Sequence, residues 1–219
     1  SEKYILDKML AEFPNDSFLS EEKGKIGKNS SRIWMIDPLD GTKDFKNGGS
    51  GFSVMIGLCE KGVPILGVVY APAKNLLYFA QRGKGAYLII NGEKHKLKVG
   101  SQKFLEKSRM VTRIPNGEVR EEDKLEESFD VKEKIPESSV GIKLGLIAEN
   151  KADFHISSNS KTSKWDTCAP QIILEEAGGK FTDSDGFLLD YNQPENKWAG
   201  TFVASNGVLH KKILKKINI

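Results

Sequence analysis

Two carboxylates stand three positions apart in Trp34-Met35-Ile36-Asp37-Pro38-Leu39-Asp40-Gly41-Thr42, at the end of an apolar run. The run reads as a buried strand. Its carboxylates then lie at the C-terminal end, where open α/β sheets place their chemistry. Pro38 fixes its own φ and biases Asp37 toward extended backbone, so both side chains can be held toward one point. Two such charges repel unless a cation lies between them. Oxygen-only ligands favour a hard ion, Mg²⁺ before Ca²⁺. Gly41 and Thr42 follow with backbone N–H groups and a hydroxyl for an anion beside that metal. Asp, Pro and Gly also favour ordinary turns, so the stretch alone leaves a plain turn open as the other reading.

Composition narrows the field. The 219 residues are 38% hydrophobic and 29% charged, which suits a globular unit of one or two lobes with a real core. A net charge of +3 gives no reason to expect a nucleic acid polymer as partner. Lys211, Lys212, Lys215 and Lys216 read as the solvated face of a C-terminal helix. No apolar run nears the roughly 18 residues that suggest a membrane span, and no signal peptide is visible. Cys59 and Cys168 have no metal-ligand spacing, so a reduced, cytoplasmic protein is the expectation.

The elements that must position these groups follow from periodicity. Ile5, Leu6, Met9, Leu10 and Phe13 recur at helical spacing and stop at Pro14. A short strand over 17–20 would deliver Glu21 and Glu22, with 23–31 a mobile loop. Strand-like runs follow at 52–58, 65–71, 76–80 and 86–90, and Asn91-Gly92 signals a hairpin into 95–99. This predicts a largely antiparallel sheet with a helix against it in an N-terminal lobe, 1–105. The C-terminal lobe, 106–219, alternates strands (110–112, 152–156, 180–182, 201–204) with helices (138–150, 164–177, 208–217) and reads as a second α/β layer. Ser163 caps the helix at 164–177, and Gly178-Gly179 ends it. The charge-dense stretch 118–127 reads as a solvated helix.

Three pieces occur together and in order: Ser20-Glu21-Glu22, Asp37 to Thr42, and Lys164-Trp165-Asp166-Thr167-Cys168-Ala169-Pro170, the last followed by Glu-Glu-Ala-Gly-Gly at 175–179. This resembles the lithium-sensitive, Mg²⁺-dependent phosphomonoesterases, which include inositol monophosphatases, 3′(2′),5′-bisphosphate nucleotidases and fructose-1,6-bisphosphatases. The likeness runs from Ser1 to about Ser205. It implies a layered α-β-α-β-α sandwich of the sugar phosphatase type and two or three Mg²⁺ ions. Glu21 matches a metal-ligating glutamate and Asp37 the carboxylate that bridges two metals. The Leu39 carbonyl, Asp40 and Asp166 match the remaining ligands. Thr42 matches the hydroxyl that orients the attacking water, and the Gly41 and Thr42 amides match the phosphate cradle. Glu22 has two readings, a supporting residue or a solvent charge. Trp165 reads as core packing, and His95, His155 and His210 as structural or surface residues.

The implied activity is hydrolysis of a small phosphorylated substrate by a monomer or homodimer, without membrane or nucleic acid polymer. Inositol monophosphatases usually carry a glutamate seven positions before the last aspartate; here Asn159 stands there. The stretches at 41–45 and 164–170 look more like the bisphosphate nucleotidases, which makes 3′-phosphoadenosine 5′-phosphate the expected substrate, with inositol monophosphatase or fructose-1,6-bisphosphatase activity as the alternative. Lys143 lies where those nucleotidases place a basic residue near substrate, though a solvated helix lysine is the other reading. The family also has a Thr-x-x-Asp motif whose aspartate helps the motif threonine, here Thr42, activate water. This sequence opens just after that position. With such a segment upstream, an ordinary phosphatase is expected; without it, a catalytically weak protein that binds metal and phosphate.

Overall fold

The computed structural model describes residues 1–115, 121–158 and 162–218. Helix α1 (Glu2–Glu12) is followed by strands β1 (Ser17–Ser20), β2 (Gly24–Gly27) and β3 (Arg32–Asp40) and a short helix α2 (Thr42–Lys46). A meander follows: β4 (Ser53–Glu60), β5 (Val63–Ala71), β6 (Leu76–Gln81), β7 (Gly85–Ile90) and β8 (Glu93–Lys96). The second part contains β9 (Arg109–Thr112), α3 (Glu121–Glu127), β10 (Glu133–Pro136), α4 (Val140–Ala148) and β11 (Phe154–Ser157). It closes with α5 (Lys164–Glu176), β12 (Lys180–Asp183), β13 (Phe202–Ser205) and α6 (His210–Ile217).

Among the described residues the strands form two sheets, ordered β2-β1-β3-β4-β5-β6-β7-β8 and β10-β9-β11-β13-β12. The first is antiparallel except where β1 runs parallel to β3. In the second, β10, β9 and β11 are parallel, and β13 and β12 join antiparallel. Five layers result. The apolar stripe of α1 packs its Leu6, Met9, Leu10 and Phe13 on Phe18, Trp34, Ile36 and Leu58 of the first sheet. Helices α4 and α5 fill the space between the sheets, where Leu144, Ile147, Cys168 and Leu174 meet Met35 on one side and Val111, Phe202 and Ala204 on the other. The outer face of the second sheet, with Met110, Phe154, Ile156 and Val203, is covered by Leu125 of α3 and Ile213 of α6. The chain is thus the expected α-β-α-β-α sandwich.

Gly67 of β5 shows how closely the middle layer approaches. A Cβ there would collide with the Ala169 carbonyl of α5. Only glycine lets α5 lie this near the sheet, and that approach carries Asp166 toward β3.

Three local expectations change, and one strand goes unforeseen. Strand β3, whose apolar run ends at Ile36 and whose expected end is Asp37, continues to Asp40 with a register irregularity between the two aspartates, because Pro38 has no N–H for the ladder. The expected loop 23–31 contains the edge strand β2, where Ile26 packs on the α1 cluster. The last hairpin strand ends at Lys96 rather than Val99. The edge strand β10 carried too little alternation in Glu-Lys-Ile-Pro to be seen.

Candidate active site

A cavity of about 500 Å³ opens where the two parts meet. Glu21, Asp37, Leu39, Asp40, Gly41, Thr42, Lys143 and Asp166 all line it. Four separate pieces of chain deliver them: the end of β1, the β3–α2 connection, α4 and the first turn of α5. Asp166 reaches this point because α5 begins there. Its Oδ2 accepts from the Ser163 amide at 2.6 Å, the reciprocal half of a capping arrangement. Gly41 has φ +85°, and a Cβ on it would run into the Gly51 carbonyl. The sharp turn from β3 into α2 therefore requires glycine.

The carboxylates crowd one another. Asp37 is buried, its Oδ1 accepting from the Leu39 amide at 2.9 Å. Burial, then the charges of Asp40, Asp166 and Glu21, push its pKa up to about 10. Burial and Asp40 push Asp166 up to about 7. Burial also raises Glu21, which lies exposed at the cavity rim. Glu21 and Asp166 both lie close enough to Asp37 for their carboxyl groups to act on one another. Asp40 is raised by burial, against hydrogen bonds from Ser139 Oγ at 2.6 Å and the Gly141 amide at 3.2 Å. Among the described residues no three Asp, Glu, His or Cys side chains stand as a ready-made ion cage. The donor set nonetheless fits a hard cation: all oxygen, anionic, and held together at an electrostatic cost that a divalent ion would remove.

Thr42 Oγ1 donates to the Leu39 carbonyl at 2.9 Å, so the two groups expected at metal and water meet each other. Lys143 is not a solvated lysine. It is buried, and burial lowers its pKa against the opposing pull of Glu122, Glu126, Asp40 and Glu137, which favour its charge. The solvated-helix reading of 118–127 is also corrected. Glu122 and Glu126 are buried, and Glu122 lines the cavity. They face inward because α3 covers the end of the second sheet beside Arg113, whose guanidinium pairs with Asp123 and whose amide donates to Glu126 at 3.3 Å. Residues 118–120 of that stretch, and Asn159, lie outside the described residues.

The sequence reading missed Arg113, Glu122, Ser138, Ser157 and Thr162 in this wall, and Ser139 behind Asp40. Only Ser139 had a local signal, as the cap before a helix: its Oγ accepts from the Ile142 amide at 3.2 Å. His155, which also lines the cavity, is buried with Nδ1 2.8 Å from the Val111 carbonyl. Glu22 is exposed, and its amide donates to Glu2 Oε1 at 3.1 Å. Trp165 packs partly buried against the central core.

Comparison with known proteins decides the family. The inositol monophosphatase family model matches residues 1–219. The chain belongs to the inositol monophosphatase family. Family relatives carry different names. A histidinol-phosphatase of Mycobacterium tuberculosis is 34% identical over 94% of this chain and 76% of its own. The 3′(2′),5′-bisphosphate nucleotidase CysQ of Haemophilus influenzae is 32% identical over 88% and 72%. The solved inositol monophosphatase of Anabaena superposes with a TM-score of 0.85 at 30% identity, covering 99% of this chain and 84% of that one. Among the described residues no helix is long and apolar enough to cross a membrane.

Proposed function

We propose that this chain is a Mg²⁺-dependent, lithium-sensitive phosphomonoesterase that removes the 3′-phosphate of 3′-phosphoadenosine 5′-phosphate. The observation that carries the reading is the meeting of Glu21, Asp37, Asp40 and Asp166, from distant parts of the chain, on one cavity wall beside the Gly41 turn. Glu21, Asp37, the Leu39 carbonyl, Asp40 and Asp166 would hold the ions. Bound there, Mg²⁺ supplies a more acidic water and positive charge for the phosphoryl oxygens.

The protein's own contributions are positional. Asp37 and Asp40 are fixed by backbone amides, and Asp40 also by Ser139. The Thr42 hydroxyl stands at the cavity with its acceptor lone pairs available to a water proton. The Gly41 and Thr42 amides offer donors to a phosphoryl oxygen as charge builds on it. Lys143 and Arg113 line the same cavity and support a second phosphate on the substrate, because a dianion needs a cationic partner once it leaves water.

The test is a substrate panel with Mg²⁺: 3′-phosphoadenosine 5′-phosphate, inositol 1-phosphate, fructose 1,6-bisphosphate and histidinol phosphate. The highest kcat/KM is expected for the nucleotide, with inhibition by lithium. Faster turnover of inositol 1-phosphate would overturn the substrate assignment and leave the phosphatase. Mg²⁺ binding without turnover of any of the four would favour a protein that holds metal and phosphate without catalysis.

A further inference from the structure

A second cavity, of about 460 Å³, lies at the opposite end of the second sheet. Strands β9 and β11 are parallel. Their C-terminal ends feed Arg113 and Ser157 into the catalytic cavity. Their N-terminal ends, at Arg109 and Asp153, line the other one. Lys103, Lys107, Arg109 and Lys132 contribute four cations to its wall, against the single carboxylate of Asp153. That carboxylate is already engaged, accepting from the Arg109 amide at 2.8 Å and from its Nε at 3.1 Å. Among the described residues, Lys103, Lys107, Lys132 and Lys212 form no ion pair with a carboxylate.

Phe104 stands on the same wall, 42% exposed. The ammonium groups of Lys103, Lys107 and Lys212 lie 5.4, 5.4 and 5.6 Å from its ring centroid. The segment is held in place. Gln102 Oε1 accepts from the Lys103 and Phe104 amides at 3.0 Å each, Asn206 Nδ2 donates to the Gln102 carbonyl at 3.0 Å, and Lys212 Nζ donates to the Lys103 carbonyl at 2.6 Å. A partly exposed aromatic ring among lysines that form no ion pair, at the mouth of a cavity of ligand size, is the chemistry that stacks a base and neutralises its phosphate.

We infer that this cavity is a second, non-catalytic binding site for a nucleotide, with the base on Phe104 and the phosphate toward Lys107, Lys132 and Arg109. Two sources share that chemistry: a free mononucleotide and a single-stranded RNA. The mononucleotide is the occupant proposed.

The test is isothermal titration in EDTA, which removes the metal ions through which the catalytic cavity would hold a phosphate. The probes are AMP, a short single-stranded oligouridine and inorganic phosphate. Saturable AMP binding is expected, weakened about tenfold or more by Phe104→Ala, since base stacking is worth roughly 1–3 kcal/mol. The Lys107→Ala/Lys132→Ala double variant should weaken it similarly and flatten its salt dependence. Mg²⁺-dependent hydrolysis should keep its wild-type kcat in both variants. Oligouridine binding with the same Phe104 dependence, in place of AMP, would assign the site to RNA and overturn the mononucleotide. Absence of binding, equal binding by phosphate, or indifference to Phe104→Ala would overturn the site. None of these outcomes touches the phosphatase reading, which rests on the other cavity.

Discussion

Ser139 Oγ donates to Asp40 Oδ2 at 2.6 Å, although 99 positions separate the two residues. The same hydroxyl oxygen accepts from the Ile142 amide at 3.2 Å and lies 2.8 Å from Ser53 Oγ. One buried serine thus starts helix α4 and sets the direction of a carboxylate in the candidate metal site. Ser139→Ala should lower stability by about 1–2 kcal/mol through the lost cap. It should also weaken Mg²⁺ binding by roughly 10–100-fold, the usual effect of losing a group that orients a ligand. Ser139→Thr should restore most of both. Urea unfolding and Mg²⁺ titration measure the two losses separately; an unchanged Mg²⁺ affinity in Ser139→Ala would refute the orienting role.

Asp37→Asn should separate function from stability. The buried Asp37 is opposed by burial and by three neighbouring carboxylates. Asn carries no ionisable group, so it escapes the cost of protonating a buried carboxyl at neutral pH; the variant should melt higher than wild type in EDTA while losing hydrolysis. Mg²⁺ should raise the melting temperature of the wild type, because it binds the folded state alone, and should leave the variant nearly unmoved. A variant that melts lower than wild type in EDTA would mark Asp37 as structural.

Lys143 sits buried among Glu122, Glu126 and Asp40. Lys143→Met leaves those carboxylates without their cation and should cost about 3–5 kcal/mol. Burial and then Glu122 push Glu126 up to about 7, so it is the partner most easily neutralised. Glu126→Gln in the Lys143→Met background should recover a large part of the loss. Purely additive free energies in that double-mutant cycle would show that the two residues do not interact.

His210 makes stability depend on pH. Its Nε2 lies 2.9 Å from Thr182 Oγ1 and its Nδ1 2.8 Å from Ser205 Oγ. Burial, with Lys180 nearby, pushes its pKa from 6.5 down to about 4. The unfolded chain takes up the proton at 6.5, while the folded chain resists until about 4. This contribution is therefore complete above 6.5 and is lost progressively as pH falls to about 4. The advantage of wild type over His210→Gln in urea unfolding should shrink from about pH 7.5 to about pH 4.5. An equal gap at both pH values would reject the assignment.

The sequence by itself determined the local features. Residues 34–42 held the strand, the turn and both aspartates, because Pro38 and Gly41 restrict backbone within a few residues. The Ser163 cap and the stripe from Ile5 to Phe13 were legible for the same reason: the residues that compose each lie within a few turns of one helix. Order and spacing of three motifs were enough for the family, since each motif is a contiguous run. What the tertiary structure alone decided were the pairings across long separations. Lys143 and Glu126 look like surface charges in sequence, yet packing of α3 and α4 against the end of the second sheet buries them together. Ser139 acquires its link to Asp40 only when α4 docks between the sheets. The ring of lysines around Phe104 likewise joins the segment at 103–107 to α6, through Lys212. Charge and periodicity describe a residue's neighbours along the chain. Burial and electrostatics depend on neighbours in space, and those were set when the five layers packed.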